Sequence, residues 1–203
     1  MKREAEIKEL FISNAIRLIA EGGFEKATTK ELTHCGGSLP DFKMNEVYIY
    51  RLFGSKENLY AAAFAALDTE LHEALHNALV GVPFAGDLRA WLREIFDRSW
   101  GFVMKNEERC RCYVRYYYSI YYRGDSQKAH RKLFSGTVAK FAPFFKEEAD
   151  VDSIMHNVFA SLFDFSIRVY NGDLENNDEN RPHIFNILYH VMSAYFKESV
   201  AVS

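Results

Sequence analysis

His72, Glu73 and His76 stand in the order His-Glu-x-x-His. On a helix this spacing places two imidazoles on one face, where they can hold a zinc ion, with the carboxylate between them positioned as a general base for peptide hydrolysis. A third ligand is needed. Glu94 is a candidate, although Gly81, Pro83 and Gly86 interrupt the intervening chain. The pentapeptide also arises by chance in roughly two chains in a hundred of this composition, so a metal-free, partly exposed helix face is the expected state and a zinc metallopeptidase the alternative. Cys110 and Cys112 lie between and beside Arg109 and Arg111, which could lower a thiol pKa and make a redox sensor. Side chains two apart on a helix point apart, which disfavours a shared metal, and small apolar fillers are the expected role. Tyr113, Tyr116, Tyr117, Tyr118, Tyr121 and Tyr122 crowd one stretch. Trp100, Phe102, Tyr113, Tyr116, Tyr117, Phe134, Phe141 and Phe163 could line a cavity for a small apolar or aromatic ligand. The competing reading is ordinary core packing, in which each buried hydroxyl needs a partner.

The elements that must position these groups are helical throughout. Ile7, Leu10, Phe11, Ala15, Leu18 and Ile19 form one apolar stripe from residue 2 to 21, stopped by Gly22 and Gly23. Thr28 followed by Glu31 is a capping box that starts a short helix ending at Gly36 and Gly37. Asn45 caps a second short helix reaching about Leu52, and Ser55 caps a long third one reaching about Leu79. Two short helices joined by a glycine-containing turn describe a helix-turn-helix, whose second helix can enter the DNA major groove.

Phe11, Ile12, Ala15, Ile19, Gly23, Phe24, Thr28, Leu32 and Gly37, followed by Ile49, Tyr50, Phe53, Ser55, Lys56, Glu57 and Leu59, give residues 7 to 64 an order that resembles the N-terminal domain of the tetracycline-repressor (TetR) family of transcription regulators. The resemblance implies an all-α protein with a three-helix DNA-binding domain (1–54), a connecting helix (55–80) and a ligand-binding and dimerisation domain (81–203). It assigns Thr28, Tyr50 and Lys56 to phosphate contacts and Asn45, Glu46, Val47 and Tyr48 to the groove face; Lys30 and Arg51 complete the candidate DNA-binding set. A hydroxyl, a phenol and an ammonium near helix starts suit phosphate oxygens, while Thr28 and Asn45 can cap at the same time. The chain departs from the family pattern at Thr33 and Gly36, and residues 38 to 43 read as an insertion in the turn. Through Glu57 nine cations face nine carboxylates, where a duplex binder ordinarily shows a basic footprint. The implied function is ligand-responsive repression of transcription: binding to a double-stranded operator, released by a small apolar or aromatic effector. A helical ligand-binding dimer that has lost DNA binding is a further alternative.

Beyond the break at Gly81 to Gly86, Asp87 caps a helix to about Lys105, a tyrosine-rich helix runs to Gly124, and Ser126 caps one to about Glu148, bent near Pro143. Two last helices, near 151–170 and 181–199, are apolar on more than one face, which calls for more than one partner surface. Phe159, Phe163, Phe185, Leu188, Met192 and Phe196 are the expected contacts of an isologous homodimer. With 203 residues, 48% hydrophobic and a net charge of -3, the chain belongs with soluble globular proteins and offers no case for coating a membrane or polyanion. Neither a signal peptide nor the ~18 apolar residues of a span is visible; a cytoplasmic location, no membrane and no cofactor are expected. Three cysteines are no disulfide framework.

Overall fold

The computed structural model describes residues 2–34 and 44–201; the expected insertion at 38–43, the glycines at 36 and 37, and Cys35 lie outside them. All regular structure among the described residues is helical: α1 (Lys2–Lys26), α2 (Thr29–His34), α3 (Glu46–Phe53), α4 (Lys56–Val80), α5 (Leu88–Lys105), α6 (Glu107–Tyr117), α7 (Asp125–Phe141), α8 (Val151–Tyr170), α9 (Asn180–Ser193) and α10 (Glu198–Ala201), with a 3-10 turn at Ala142–Phe144. This is the expected all-α class.

Packing does not follow chain order. One unit takes its described residues from Met1–Glu70 and Glu107–His130, the other from Leu71–Asn106 and Arg131–Ser203, so α4 and α7 each supply residues to both. Neither unit begins or ends at the divisions expected at 54 and 80.

In the first unit α1 packs against α6 and α2. Its stripe is buried at Ile7, Phe11, Ala15, Leu18 and Ile19. Gly23 interrupts the helical run with φ +75°, a left-handed conformation that costs glycine little. A side chain there would also come within 3.1 Å of Arg115 Nη1. The capping box is half used: Thr28 Oγ1 accepts from the Glu31 N–H at 3.2 Å, but the Thr28 N–H donates to the Lys26 carbonyl at 2.8 Å instead of to Glu31.

Four expected helix ends are corrected. The tyrosine-rich helix stops at Tyr117, because Ser119 Oγ donates to the Tyr116 carbonyl at 2.7 Å and accepts from the Tyr121 N–H at 3.1 Å, a local competitor to helical bonding. Tyr121 and Tyr122 are therefore turn residues. Next, α7 starts at Asp125, and Ser126 Oγ meets the Tyr116 hydroxyl at 3.1 Å rather than capping. Pro143 ends α7 in the 3-10 turn instead of bending a longer helix, as expected for a residue with no N–H to donate. The chain beyond pairs with the end of α9: Lys146 N–H donates to the Tyr195 carbonyl at 2.9 Å and Lys197 N–H to that of Phe144 at 3.0 Å, with the Phe145 and Phe196 rings 5.0 Å apart. That pairing closes α9 at Ser193, short of the expected 199.

In the second unit α5 packs against α8 and α9, which pack on each other. Asp87 caps α5 as expected, accepting from the Ala90 N–H at 2.9 Å.

Candidate nucleic-acid interface

Helix α3 is an eight-residue segment fastened on one side only. Asn45 caps it with extended backbone, its Oδ1 accepting from the Val47 N–H at 3.0 Å. Gly54 ends it at φ +80°, donating to the Tyr50 carbonyl at 2.9 Å. Ile49 is fully buried while Val47 is 70% and Tyr50 55% exposed. Asn45, Glu46 and Arg51 are also exposed, and Tyr48 is half-buried. The Arg51 guanidinium lies over the Tyr48 ring at 4.3 Å, a cation–π contact that limits the conformations the guanidinium samples. The protruding face thus offers an acceptor, an apolar tip, a phenol and a planar cation, the side-chain kinds that read base edges and phosphates. Thr28 and Lys30 are exposed at α2, and Lys56 is half-buried at the start of α4, its Nζ 5.7 Å from the centre of the Tyr60 ring.

What holds α3 in place includes residues that the sequence reading passed over. Asn14, 2% exposed on α1, donates through Nδ2 to the Leu32 carbonyl of α2 at 3.0 Å and approaches Met44 Sδ at 3.9 Å. One amide group therefore joins the end of α2 to the residue just before the α3 cap. The Tyr60 hydroxyl donates to the Ala27 carbonyl at 2.5 Å, and burial pushes its pKa up, with Tyr121 and Glu57 adding to the effect. The Phe11 and Phe53 rings meet edge-on at 6.3 Å. A polar residue on an otherwise apolar stripe was the available signal for Asn14, since such residues are buried only when partnered.

Tyr113, Tyr116 and Tyr117 belong to the core of this unit. Phe64 stacks on Tyr113 at 5.1 Å and on Tyr116 at 4.5 Å, and Tyr117 stacks on Tyr122 at 4.3 Å. The Tyr113 hydroxyl donates to Asp68 Oδ1 at 3.2 Å, which also accepts from His130 Nδ1 at 2.8 Å. Asp68, only 3% exposed, was likewise missed on the stripe of α4. Tyr113 is held well above the usual phenol pKa, first by burial and then by Asp68.

Cys110 and Cys112 are 4% and 1% exposed. Arg109 turns to Glu70 at 3.0 Å and Arg111 to Glu107 at 2.8 Å. Burial, followed by Glu108 and opposed by Arg115 and Arg109, pushes the Cys112 thiol up to about 12 from 9.0. Below 9.0 folded and unfolded chains both hold this proton, and above it only the unfolded chain releases it. Stability should therefore fall as pH rises from 9.0 towards 12. Alkylation of the native protein at about pH 8 should leave both thiols unmodified, as read by peptide mass spectrometry; modification of either at the rate of the unfolded chain would contradict this.

His72, Glu73 and His76 lie on α4 within the second unit. His72 Nε2 meets the buried Thr137 hydroxyl at 3.3 Å and its ring meets Phe134 edge-on at 5.4 Å, whereas Glu73 and His76 are exposed. Glu94 accepts from Arg98 at 2.9 Å. Among the described residues no group of three or more His, Cys, Asp or Glu is placed to hold a metal.

The remaining aromatic candidates also lie in the second unit. Trp100 is buried and donates to Asn176 Oδ1 at 3.0 Å. Phe134 and Phe163 are buried, and Phe102 is half-buried. Phe141, tilted against Trp91 at 5.8 Å, borders an apolar internal space of about 60 Å³. Of the expected dimer contacts, Phe163, Phe185, Leu188, Met192 and Phe196 are buried within the chain itself, and Phe159, half-buried, borders the same internal space. The apolar side chains that α9 and its continuation leave open include Ile187 (49% exposed), Tyr195 (47%) and, in part, Val191. No described helix is long and apolar enough to cross a membrane.

No protein-family model and no curated protein matches the sequence. Solved structures do match the fold. A TetR family transcription regulator from Marinobacter aquaeolei VT8 aligns with TM-score 0.74 at 16% identity, over 97% of this chain and 100% of its own. One described as a putative TetR family transcription regulator from Shewanella sp. PV-4 aligns at 0.73 and 16%, over 91% and 97%. A third, from Mesorhizobium loti MAFF303099, aligns at 0.67 and 13%, over 96% and 99%. With its helices in this order and its short capped α3 exposed on one side, the chain has the fold of the TetR-family transcription regulators.

Proposed function

We propose that the protein is a DNA-binding transcription regulator that acts as a homodimer, with α3 as the element entering the major groove. The observation that carries this is the sidedness of α3: Ile49 is fully buried while Val47 and Tyr50 stand 70% and 55% exposed. Thr28, Lys30, Tyr50 and Lys56 supply phosphate contacts, and Asn45, Glu46, Val47, Tyr48 and Arg51 face the bases. A dimer places two such helices on half-sites about one helical turn apart, ~34–36 Å. Glu46 accepts from a cytosine amino group and Val47 meets a thymine methyl, contacts that discriminate bases. Regulation is by repression, relieved when an apolar or aromatic effector binds the second unit. Because α4 supplies residues to both units, a ligand with different affinities for two positions of that helix shifts the balance between DNA-competent and incompetent states.

Selection of bound fragments from a random duplex pool tests the DNA reading. Enrichment of a two-fold symmetric site is expected, and recovery of no sequence sinks it. In the enriched duplex, Lys56→Ala should weaken binding and reduce the salt slope by about one unit, and Tyr50→Ala should weaken it on all sequences alike. Unchanged affinity and slope would remove both from the interface. The balanced charge through Glu57 favours a second reading, a ligand-binding dimer without DNA binding, which the same selection distinguishes. The dimer uses the open face of Ile187, Val191 and Tyr195. Ile187→Arg should convert it to a monomer in sedimentation at micromolar concentration, since a cation buried in an apolar isologous contact is unpaired; an unchanged dimer would place the contact elsewhere.

A further inference from the structure

Among the described residues, Ser99 on α5 is the only polar side chain lining the 60 Å³ internal space of the second unit. The rest of the wall is hydrocarbon and thioether, including Leu75, Ile95, Phe141, Met155 and Met192. Ser99 Oγ is buried and has no hydrogen-bond partner among the described residues. A helical serine commonly returns its hydroxyl to the carbonyl one turn back. Here it does not, so both its donor and its acceptor capacity are unused beside an apolar space. A buried water needs two to four polar partners to be held, and this wall presents one polar side chain. No described charged side chain lines the space either, so an ionised ligand would lose its hydration without compensation.

We propose that this space is the effector site and that it takes a small uncharged molecule with an apolar body and one hydroxyl or carbonyl group, which pairs with Ser99. The inference rests on the reading of the protein as a ligand-responsive regulator and specifies the chemistry of its effector. The volume is below the roughly 150 Å³ that holds benzene in an engineered apolar cavity. Met155 and Met192 make up the difference, because unbranched thioether chains repack around an occupant more readily than branched ones.

The test is calorimetric titration of the full chain with phenol and cyclohexanol, with benzene and benzoate as comparisons, on the wild type and on Ser99→Ala. Phenol and cyclohexanol should bind the wild type and benzoate should not. The alanine variant should bind both alcohols about tenfold more weakly while its affinity for benzene is unchanged. Without ligand, its Tm should equal or exceed that of the wild type, because an unmet buried hydroxyl has been removed. Should Ser99→Ala not fold, Ser99→Cys, a far weaker hydrogen-bonding group, takes its place. Equal phenol affinity in wild type and variant, benzoate binding as tight as phenol, or no binding by any probe overturns the proposal. Binding is read without DNA, so the two readings fail separately. Alcohol binding with the Ser99 dependence in a protein that selects no duplex keeps the site and removes the operator. Duplex selection without alcohol binding removes the site alone.

Discussion

Asp68→Ala is expected to lower the unfolding free energy by about 3 kcal/mol. One oxygen of this 3% exposed carboxylate accepts both the Tyr113 hydroxyl and His130 Nδ1, and so ties α6 and the start of α7 to α4 inside the first unit. Alanine removes the acceptor that a deeply buried hydroxyl uses and leaves the space the carboxylate filled. Removing one partner of a buried polar pair costs more than the pair contributes, because the other is stranded away from water. Asp68→Asn retains an acceptor oxygen and should lose less. Tyr113→Phe should lose only about 1 kcal/mol, since it removes one hydrogen bond and preserves the stack on Phe64. Urea unfolding of the three variants measures the order. If Asp68→Ala cost no more than Tyr113→Phe, the carboxylate would not be organising this core.

Ile49→Ala should be comparably severe for stability, about 2–5 kcal/mol, and should abolish sequence-selective duplex binding. An isolated helix of eight residues is unstable in water, so α3 persists through its buried side, of which Ile49 is the fully enclosed member. Truncating it removes the wedge while leaving Val47, Tyr50 and Arg51 unaltered. The contrasting change, Val47→Ala at 70% exposure, should move stability by no more than about 0.5 kcal/mol and shift only the preferred base. Hydrogen exchange of the α3 amides separates the two cases. Protection should collapse in Ile49→Ala and persist in Val47→Ala; intact protection in the first would mean that α3 is held by something other than its apolar side.

The features legible in the sequence were those whose causes lie within a few residues. Asn45 and Asp87 cap helices with side-chain oxygens two or three residues from the donors they serve, and Gly23 takes positive φ where a helix must stop. Spacing and breakers of this kind also sufficed for the helical class and for the short capped α3. Apolar periodicity shows how wide a helix's greasy face is without showing which distant helix covers it. That is why Tyr113, Tyr116 and Tyr117, read as a ligand wall, turned out to be stacked on Phe64, Tyr122 and one another in the first unit. For the same reason Phe185, Leu188 and Met192 are consumed by their own chain while Ile187 remains open. Asn14, Asp68 and Ser99 are polar residues on apolar stripes, visible as anomalies in one dimension. Only the tertiary structure distinguished the first two, which have found buried partners, from the third, which has not. A stripe specifies that a side chain goes inside, and the chain-distant neighbours assembled by folding specify what it meets there.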